Sequence, residues 1–288
     1  MKVEIVKEQL GTPIVLTIIA EDEVAAREAA AEAFSECARI ENAYSRFVDG
    51  NELAILNAHV GEWAEVSEEL LQLIAFAKRA GEKTKGAFDV SVKSILEGWG
   101  YDSAYSLKEG RPGRTGTIEL KEGRVRIGAP IELGGLGKGY ALDRMLSFLN
   151  AFLNVHLNAG GDLIVRGVNE NAEPWRIVFE HPEDPARGIG TVDTTGLALA
   201  SSSPSRRKWR NRHHLVDPRT GEPAAGMLAV YTQSSSALLA DVYSTALFVL
   251  GYEEAQKLLP TLPVEAMLVS PEGRIFRSPN FQGVLFEE

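Results

Sequence analysis

Near its C-terminal end the chain reads SSSALLADVYSTALFVLG, Ser234 to Gly251, an apolar helical run interrupted by Asp241 and, one turn later, Thr245. Residues four apart share a helix face, and Ala237, Leu238 and Phe248 lie on the same one. An unpaired carboxylate withdrawn from water costs several kcal/mol or more, so a cation or a hydrogen-bond donor has to face Asp241. An acid and a hydroxyl offer only oxygen, the preference of Mg2+, which completes its shell with water and substrate phosphates. The competing reading is an Asp paired with an Arg or capping a neighbouring strand. No His or Cys cluster with zinc spacing accompanies the pair.

Three other stretches carry candidate chemistry. IELGGLGKGYALD, Ile131 to Asp143, has the small residues that let backbone N–H groups approach an anion ahead of a helix. It departs from the Walker loop at Glu132 and Gly139, and Lys138-Gly139 breaks the dinucleotide fingerprint. A tight structural turn and an anion site therefore both remain open for it. In LNAGGDLIVRG, Leu157 to Gly167, the glycines before Asp162 read first as a bulge or a close backbone crossing. In HHLVDPRTGEP, His213 to Pro223, Asp217 to Gly221 is turn chemistry. His214 just before it is either structural or a base, since histidine titrates near neutrality. Adjacent His residues on a strand face opposite ways, so one of the two at most lines a given cleft.

The elements that must hold these residues follow from periodicity. Strands are expected over Lys2 to Lys7 and Pro13 to Ile19, and a helix from Asp22 to about Phe47. A second helix starts at the cap Ser67 and stops before Gly86. Tyr101 to Gly116 has no period and contains GRPGRTG, which makes it a loop and a possible break in a single 1–288 unit. Short strands near Thr117 to Leu120 and Arg124 to Ile127 precede a helix from Lys138 to Phe152. Strands are then expected over Val155 to Leu157, Leu163 to Val168, Trp175 to Glu180, Gly190 to Asp193, Leu197 to Ser201, His213 to Val216 and Met227 to Thr232. Helices near Ser236 to Leu250 and Glu253 to Leu259 lead to strands at Ala266 to Ser270 and Arg274 to Arg277. Runs of strands without regular β-α-β alternation predict an α+β fold with mainly antiparallel sheet.

Bulk properties narrow the partners. The chain has 288 residues, a formal net charge of −10, 44% hydrophobic and 24% charged residues, which is an ordinary globular composition. That charge disfavours nucleic acid, although SRRKWRNRHH, Ser205 to His214, gathers five Lys or Arg residues that can hold one anionic ligand. Cys37 is the lone cysteine, so an intrachain disulfide is impossible. The apolar stretch IVLTIIA is too short to span a bilayer, and the N-terminus lacks a signal-peptide core. A cytoplasmic protein without membrane insertion is expected.

Taken in chain order, these stretches resemble the FAD:protein FMN transferase family, often called the ApbE family. The resemblance runs through LGTPIVLTI, YSRFVDGNELAILN, GAFDVSV with Trp99-Gly100 after it, ELGGLGKGYALD, NAGGDL, HHLVDPRTG and LLADVYSTAL. It implies a T-fold-like α+β architecture and Mg2+-dependent transfer of FMN from FAD to a Thr or Ser of a partner flavoprotein, releasing AMP. It also implies metal ligation by Asp241, Ser244, Thr245 and the Gly137 carbonyl, with His214 acting in transfer. Leu10, Phe47, Ala87, Phe88, Asp89, Glu132 and Lys138 fall at positions associated with the flavin nucleotide. The chain departs from the family pattern at Glu132, where Asp is usual, at Gly137, where Ala is usual, and at Ser201 to Ser205, which replaces a T-S-G-x-Y element. Two alternatives follow from these departures: an FAD pyrophosphatase giving FMN and AMP, and a non-catalytic FAD-binding protein.

Overall fold

The structure is a computed structural model describing residues 1–102, 106–205 and 207–286. A hairpin of β1 (Lys2–Gln9) and β2 (Thr12–Ile19) leads into α1 (Glu23–Tyr44), α2 (Glu52–Ala58), β3 (Ala64–Glu65) and α3 (Glu68–Lys83). A 3-10 turn at Val90–Val92 and α4 (Lys93–Gly98) precede β4 (Ile118–Lys121), β5 (Arg124–Ile127) and α5 (Gly137–Ser147). Next come β6 (Asn154–Ala159), β7 (Asp162–Arg166), β8 (Trp175–His181), β9 (Asp184–Thr194) and β10 (Gly196–Ser202). Four short strands, β11 (Lys208–Trp209), β12 (Arg212–His213), β13 (Val216–Asp217) and β14 (Glu222–Pro223), bring the chain to β15 (Ala229–Ser234). Helices α6 (Ala237–Leu250) and α7 (Tyr252–Leu258) precede β16 (Glu265–Val269), β17 (Ile275–Arg277) and β18 (Val284–Leu285).

The fold is α+β around one large sheet ordered β1-β2-β6-β7-β10-β15-β16-β17, antiparallel at every pairing. Successive side chains of a strand leave opposite faces, and here both faces of the central strands are covered. Ile164, Ala198, Val230 and Leu268 join the core shared with α1, α5 and α6. Their neighbours Leu163, Val165, Leu199, Tyr231 and Met267 pack on the other side against Trp175, Ile177 and Phe179 of β8. That two-sided burial is why these strands read as unbroken apolar runs instead of alternating ones.

Local sequence sets the helix starts. Asp22 accepts from Val24 N and Ala25 N at 2.9 and 3.1 Å and begins α1; Ser67 accepts from Leu70 N at 3.2 Å and begins α3. The α1 helix stops at Tyr44, short of the expected Phe47, because the Ser45 carbonyl is taken by Asn51 Nδ2 at 2.8 Å. The α5 helix stops at Ser147, short of Phe152, and its last turns tighten into 3-10-type bonds such as Leu149 N to Leu146 O at 3.0 Å. The expected strand His213 to Val216 is broken instead: His213 Nδ1 accepts from Leu215 N at 3.2 Å, which bends the backbone between β12 and β13. The strand expected at Gly190 to Asp193 extends to Asp184–Thr194. In the 101–116 stretch, Ser103 to Tyr105 lie outside the described residues, and Gly113 sits so close to Ser94 that a Cβ would stand 2.1 Å from its carbonyl carbon.

Two polar devices lock the helical layer. Glu69 of α3 accepts from Arg39 Nη1 and from Tyr44 Oη, at 2.8 and 2.7 Å, and from Tyr140 Oη of α5. Asp143 of α5 caps the start of α6, accepting from Ser236 Oγ at 2.7 Å, Ala237 N at 2.8 Å and Leu238 N at 3.0 Å.

Burial pushes the Glu69 carboxyl up, but the Arg39 guanidinium and the Tyr140 and Tyr44 hydroxyls outweigh it and bring it down to about 2. A carboxyl depressed on folding stabilises fully above its ordinary value of 4.5 and loses that contribution as pH falls toward about 2. Replacing Glu69 with Gln is expected to lower stability at neutral pH by about 2 kcal/mol, discounted for partial exposure, and to flatten denaturation midpoints across that acid window. Asp143→Ala, which strips the α6 amides of their acceptor, is expected to cost about 1–2 kcal/mol in urea unfolding.

Candidate active site

The helix α5 begins in the turn Leu133 to Gly137, closed by Gly137 N to Leu133 O at 2.7 Å. Its own N-cap, Leu136, has no side chain able to accept a bond. The acceptor comes from α6 instead: Asp241 Oδ2 takes the N–H of Gly139 at 3.0 Å. A Cβ at Gly139 would stand 2.4 Å from the Ala237 carbonyl oxygen and 2.8 Å from Asp241 Cβ, so only glycine lets the helices approach this closely. With Asp143 capping α6, the two helices cap each other. The glycine-rich stretch is thus a structural turn that leaves a helix N-terminus facing a cavity of about 1210 Å³.

Three charges meet at that helix start. Lys138 reaches down between Asp162, at the head of β7, and Asp241, pairing tightly with the first and lying 3.7 Å from the second. Both acids are buried, at 3% and 4% exposure, which makes the lysine's position obligatory: without it two carboxylates would face each other in low dielectric. Burial pushes the Lys138 ammonium down, but Asp162 and Asp241 hold it above its ordinary value. Burial, helped by the Asp162 charge, holds Asp241 above the carboxylate range, against the pull of Lys138, the Gly139 N–H and Arg207. Asp162 reaches this place through NAGGD, which is a two-residue hairpin and not a bulge: Ala159 pairs with Asp162, while Gly160 and Gly161 take φ of 67° and 107°.

His214 lines the same cavity and His213 does not; the latter contacts Ala224 O at 3.1 Å through Nε2. His214 Nδ1 is sealed from solvent and has no hydrogen-bond partner among the described residues. Burial first, then the charges of Arg207 and His213, push its imidazole down to about 3, so it is neutral at physiological pH. Ser202 of β10 lines the cavity beside Thr245 and is shared with Ser244 Oγ at 2.9 Å.

Leu10, Phe47, Ala87, Phe88, Asp89 and Glu132 also border the cavity, with Gly137, Lys138, Asp241 and Thr245. Leu10, at a φ of 55° in the β1–β2 turn, is held by its N–H to Glu41 Oε1 at 2.8 Å. Asp89 caps the Val90–Val92 turn, accepting from Ser91 N at 2.8 Å. Glu132 Oε2 takes Gly134 N at 2.9 Å. The Ser244 hydroxyl donates back to the Asp241 carbonyl at 2.9 Å, a common habit of helical serine, and the residue lies behind the residues that border the cavity. Asp162 was the residue the sequence hid, although an acid opening the apolar strand DLIVR signals a buried charge in need of a cation. Arg206 of the basic run lies outside the described residues; Arg207, Lys208 and Trp209 line the cavity.

The sequence model of the ApbE family matches residues 10–268. A FAD:protein FMN transferase of Klebsiella pneumoniae (strain 342) is 28% identical over 252 residues, covering 77% of this chain and 72% of the relative. One from Escherichia coli (strain K12) is 26% identical over 251 residues, with the same coverage of 77% and 72%. Among solved structures, the ApbE protein of Thermotoga maritima superimposes with a TM-score of 0.87 at 30% identity, over 98% of both chains. The flavin transferase ApbE of Vibrio cholerae shares the fold, with a TM-score of 0.85 at 22% identity over 98% of both chains.

The sealed, cation-flanked setting of His214 has a direct signature. In a pH titration of imidazole carbon-bound protons by NMR, His214 is expected to stay flat between pH 5 and 8, whereas an exposed histidine moves through its ordinary midpoint near 6.5. A His214 midpoint above pH 6 contradicts the burial described.

Proposed function

The chain belongs to the ApbE family, and we propose that it transfers FMN from FAD to a Thr or Ser hydroxyl of an acceptor flavoprotein, releasing AMP. What carries this reading is the meeting of Lys138, Asp162, Asp241, Thr245 and His214 at the N-terminus of α5. A pyrophosphate needs positive charge and amide dipoles on one side and a proton acceptor on the other.

In the step, the acceptor hydroxyl oxygen bonds to the FMN-side phosphorus while the P–O bond to AMP breaks, and AMP leaves with that electron pair. Neutral His214, which lines the cavity, takes the hydroxyl proton. The charges of Arg207 and Lys138 lower the basicity of His214, and an entering pyrophosphate offsets them, so substrate binding itself strengthens the base. Lys138 also neutralises oxygens of the leaving phosphate. Phe47 and Phe88 present rings to the flat parts of the dinucleotide.

The donor set fits a hard cation. Asp241, the Thr245 hydroxyl and the Gly137 backbone carbonyl supply oxygen, the two acids outnumber Lys138, and no cluster of three His, Cys, Asp or Glu exists among the described residues. When bound, Mg2+ stabilises the charge that grows on the phosphate oxygens during displacement. Among the described residues no helix is long and apolar enough to cross a membrane. A cytoplasmic acceptor is the partner proposed.

Coexpression with a candidate flavoprotein is expected to add the mass of one FMN less one water to an acceptor Thr or Ser, with AMP formed in equal amount. Asp241→Ala is expected to reduce the adduct at least a hundredfold while leaving the acceptor intact. FMN and AMP appearing from FAD and Mg2+ without an acceptor would assign a pyrophosphatase, and FAD binding with no AMP under either condition would assign a carrier.

A further inference from the structure

The basic run that looked like a nucleic-acid signal carries an indole in its midst. Arg46 lies over Phe47 and Tyr101, its guanidinium carbon 4.5 Å from each ring centroid. It is fixed there by Nη2 donating to the Tyr101 carbonyl at 2.9 Å. On Tyr101 stacks Trp209, with centroids 5.2 Å apart and planes 22° from parallel. The Trp209 Nε1 donates to the Trp99 carbonyl at 3.2 Å, and Trp99 is itself buried at 7% exposure beneath Arg212, whose guanidinium carbon is 4.8 Å from its ring.

The indole is therefore held on one face and along its polar edge. Its other face has no ring or cation contact among the described residues, and the side chain lines the cavity with Arg46, Phe47 and Tyr101. The indole is half-buried beside the apolar cluster of Val92, Ile95, Leu96 and Val216, and the part of it that lines the cavity is an ordered surface able to meet another π-system. Its position matters as well. Trp209 follows by two residues Arg207, the cation whose charge reaches Asp241, Lys138 and His214, so one hairpin presents phosphate-directed charge and a flat face side by side. A dinucleotide has that layout, with phosphates in the middle and a flat ring at each end.

We propose that Trp209 is the stacking face for one heteroaromatic ring of the dinucleotide, held ready by Tyr101 and Arg46; this rests on the FAD reading of the cavity. The β11 strand is then part of substrate recognition: Arg207, Lys208 and Trp209 line the cavity, while Arg212 is engaged by Trp99, Glu109 and Glu222.

Titration of the full chain with FAD, FMN and ADP, followed by quenching of tryptophan fluorescence and by calorimetry, separates the outcomes. Trp209→Ala is expected to weaken FAD binding roughly tenfold, the scale of one lost base–aromatic stack. The same loss should appear with FMN or with ADP but not both, which tells isoalloxazine from adenine. Trp209→Phe is expected to restore most of the affinity and Trp209→Leu, which fills space without a π-face, to restore little. If the Ala variant does not fold, the Leu and Phe pair gives the same reading. Wild-type affinity in the Ala or Leu variant, or equal losses for FMN and ADP, overturns the proposal. Failure of the wild-type chain to bind FAD overturns the dinucleotide reading itself, so the two failures are distinguishable.

Discussion

The reciprocal capping of α5 and α6 is the constraint on which the rest of the structure depends. Each helix starts without enough acceptors of its own for its first amides, and each receives a carboxylate from the other: Asp241 for Gly139, Asp143 for Ala237 and Leu238. Because Gly139 has no side chain, the helices can close to the distance this exchange requires. The consequence reaches past stability. Asp241 is pinned by a backbone N–H on one oxygen, so its carboxylate cannot rotate away from Lys138, and the N-terminus of α5 stays open toward the cavity.

Around that junction the charge balance is uneven by construction. Two buried acids share one lysine, and Arg207 and Thr245 lie at the margin. A buried ion pair alone contributes little to stability once desolvation is counted, so this three-member set is not what staples the helical layer. The staple is elsewhere, in the Glu69 cluster that ties α1, α3 and α5 on the far side of the helical layer. The two carboxylates are thus set differently: Glu69 accepts from Arg39 Nη1 and Nη2, Tyr44 and Tyr140, whereas Asp241 accepts the Gly139 N–H with Lys138 3.7 Å away.

The large sheet supplies the rigidity. Its central strands are buried on both faces, by α1, α5 and α6 on one side and by β8 on the other, so the β6–β7 turn that carries Asp162 and the β10 end that carries Ser202 are fixed from two directions. Loops without such support, including β11 to β14, bring His214 and Trp209 to the cavity, and they are held by side-chain contacts: Trp209 Nε1 on the Trp99 carbonyl, His213 on Ala224. A rigid floor with a wall of short strands suits a site that must admit a large substrate and still fix its phosphates.

By itself the sequence determined the helix starts at Asp22, Ser67 and Ser236, the sheet strands with their antiparallel character, and the family resemblance with most of the residues that border the cavity. These are local properties, set by caps, periodicity and motif spacing within a few residues of each position. It also showed that Asp241 needed a partner, because a lone acid on an apolar helix face cannot stand unpaired. Only the tertiary structure decided who that partner is. Lys138 lies about a hundred residues away in the chain, and the pairing exists because Gly139 admits the helix and the Gly160-Gly161 hairpin delivers Asp162 to the same point. The same holds for the break at His213, for Ser244 turning to the Asp241 carbonyl, and for Trp209 on Tyr101. Each depends on which surfaces come to rest against each other, and a burial partner from a distant segment leaves no periodic trace in the segment that receives it.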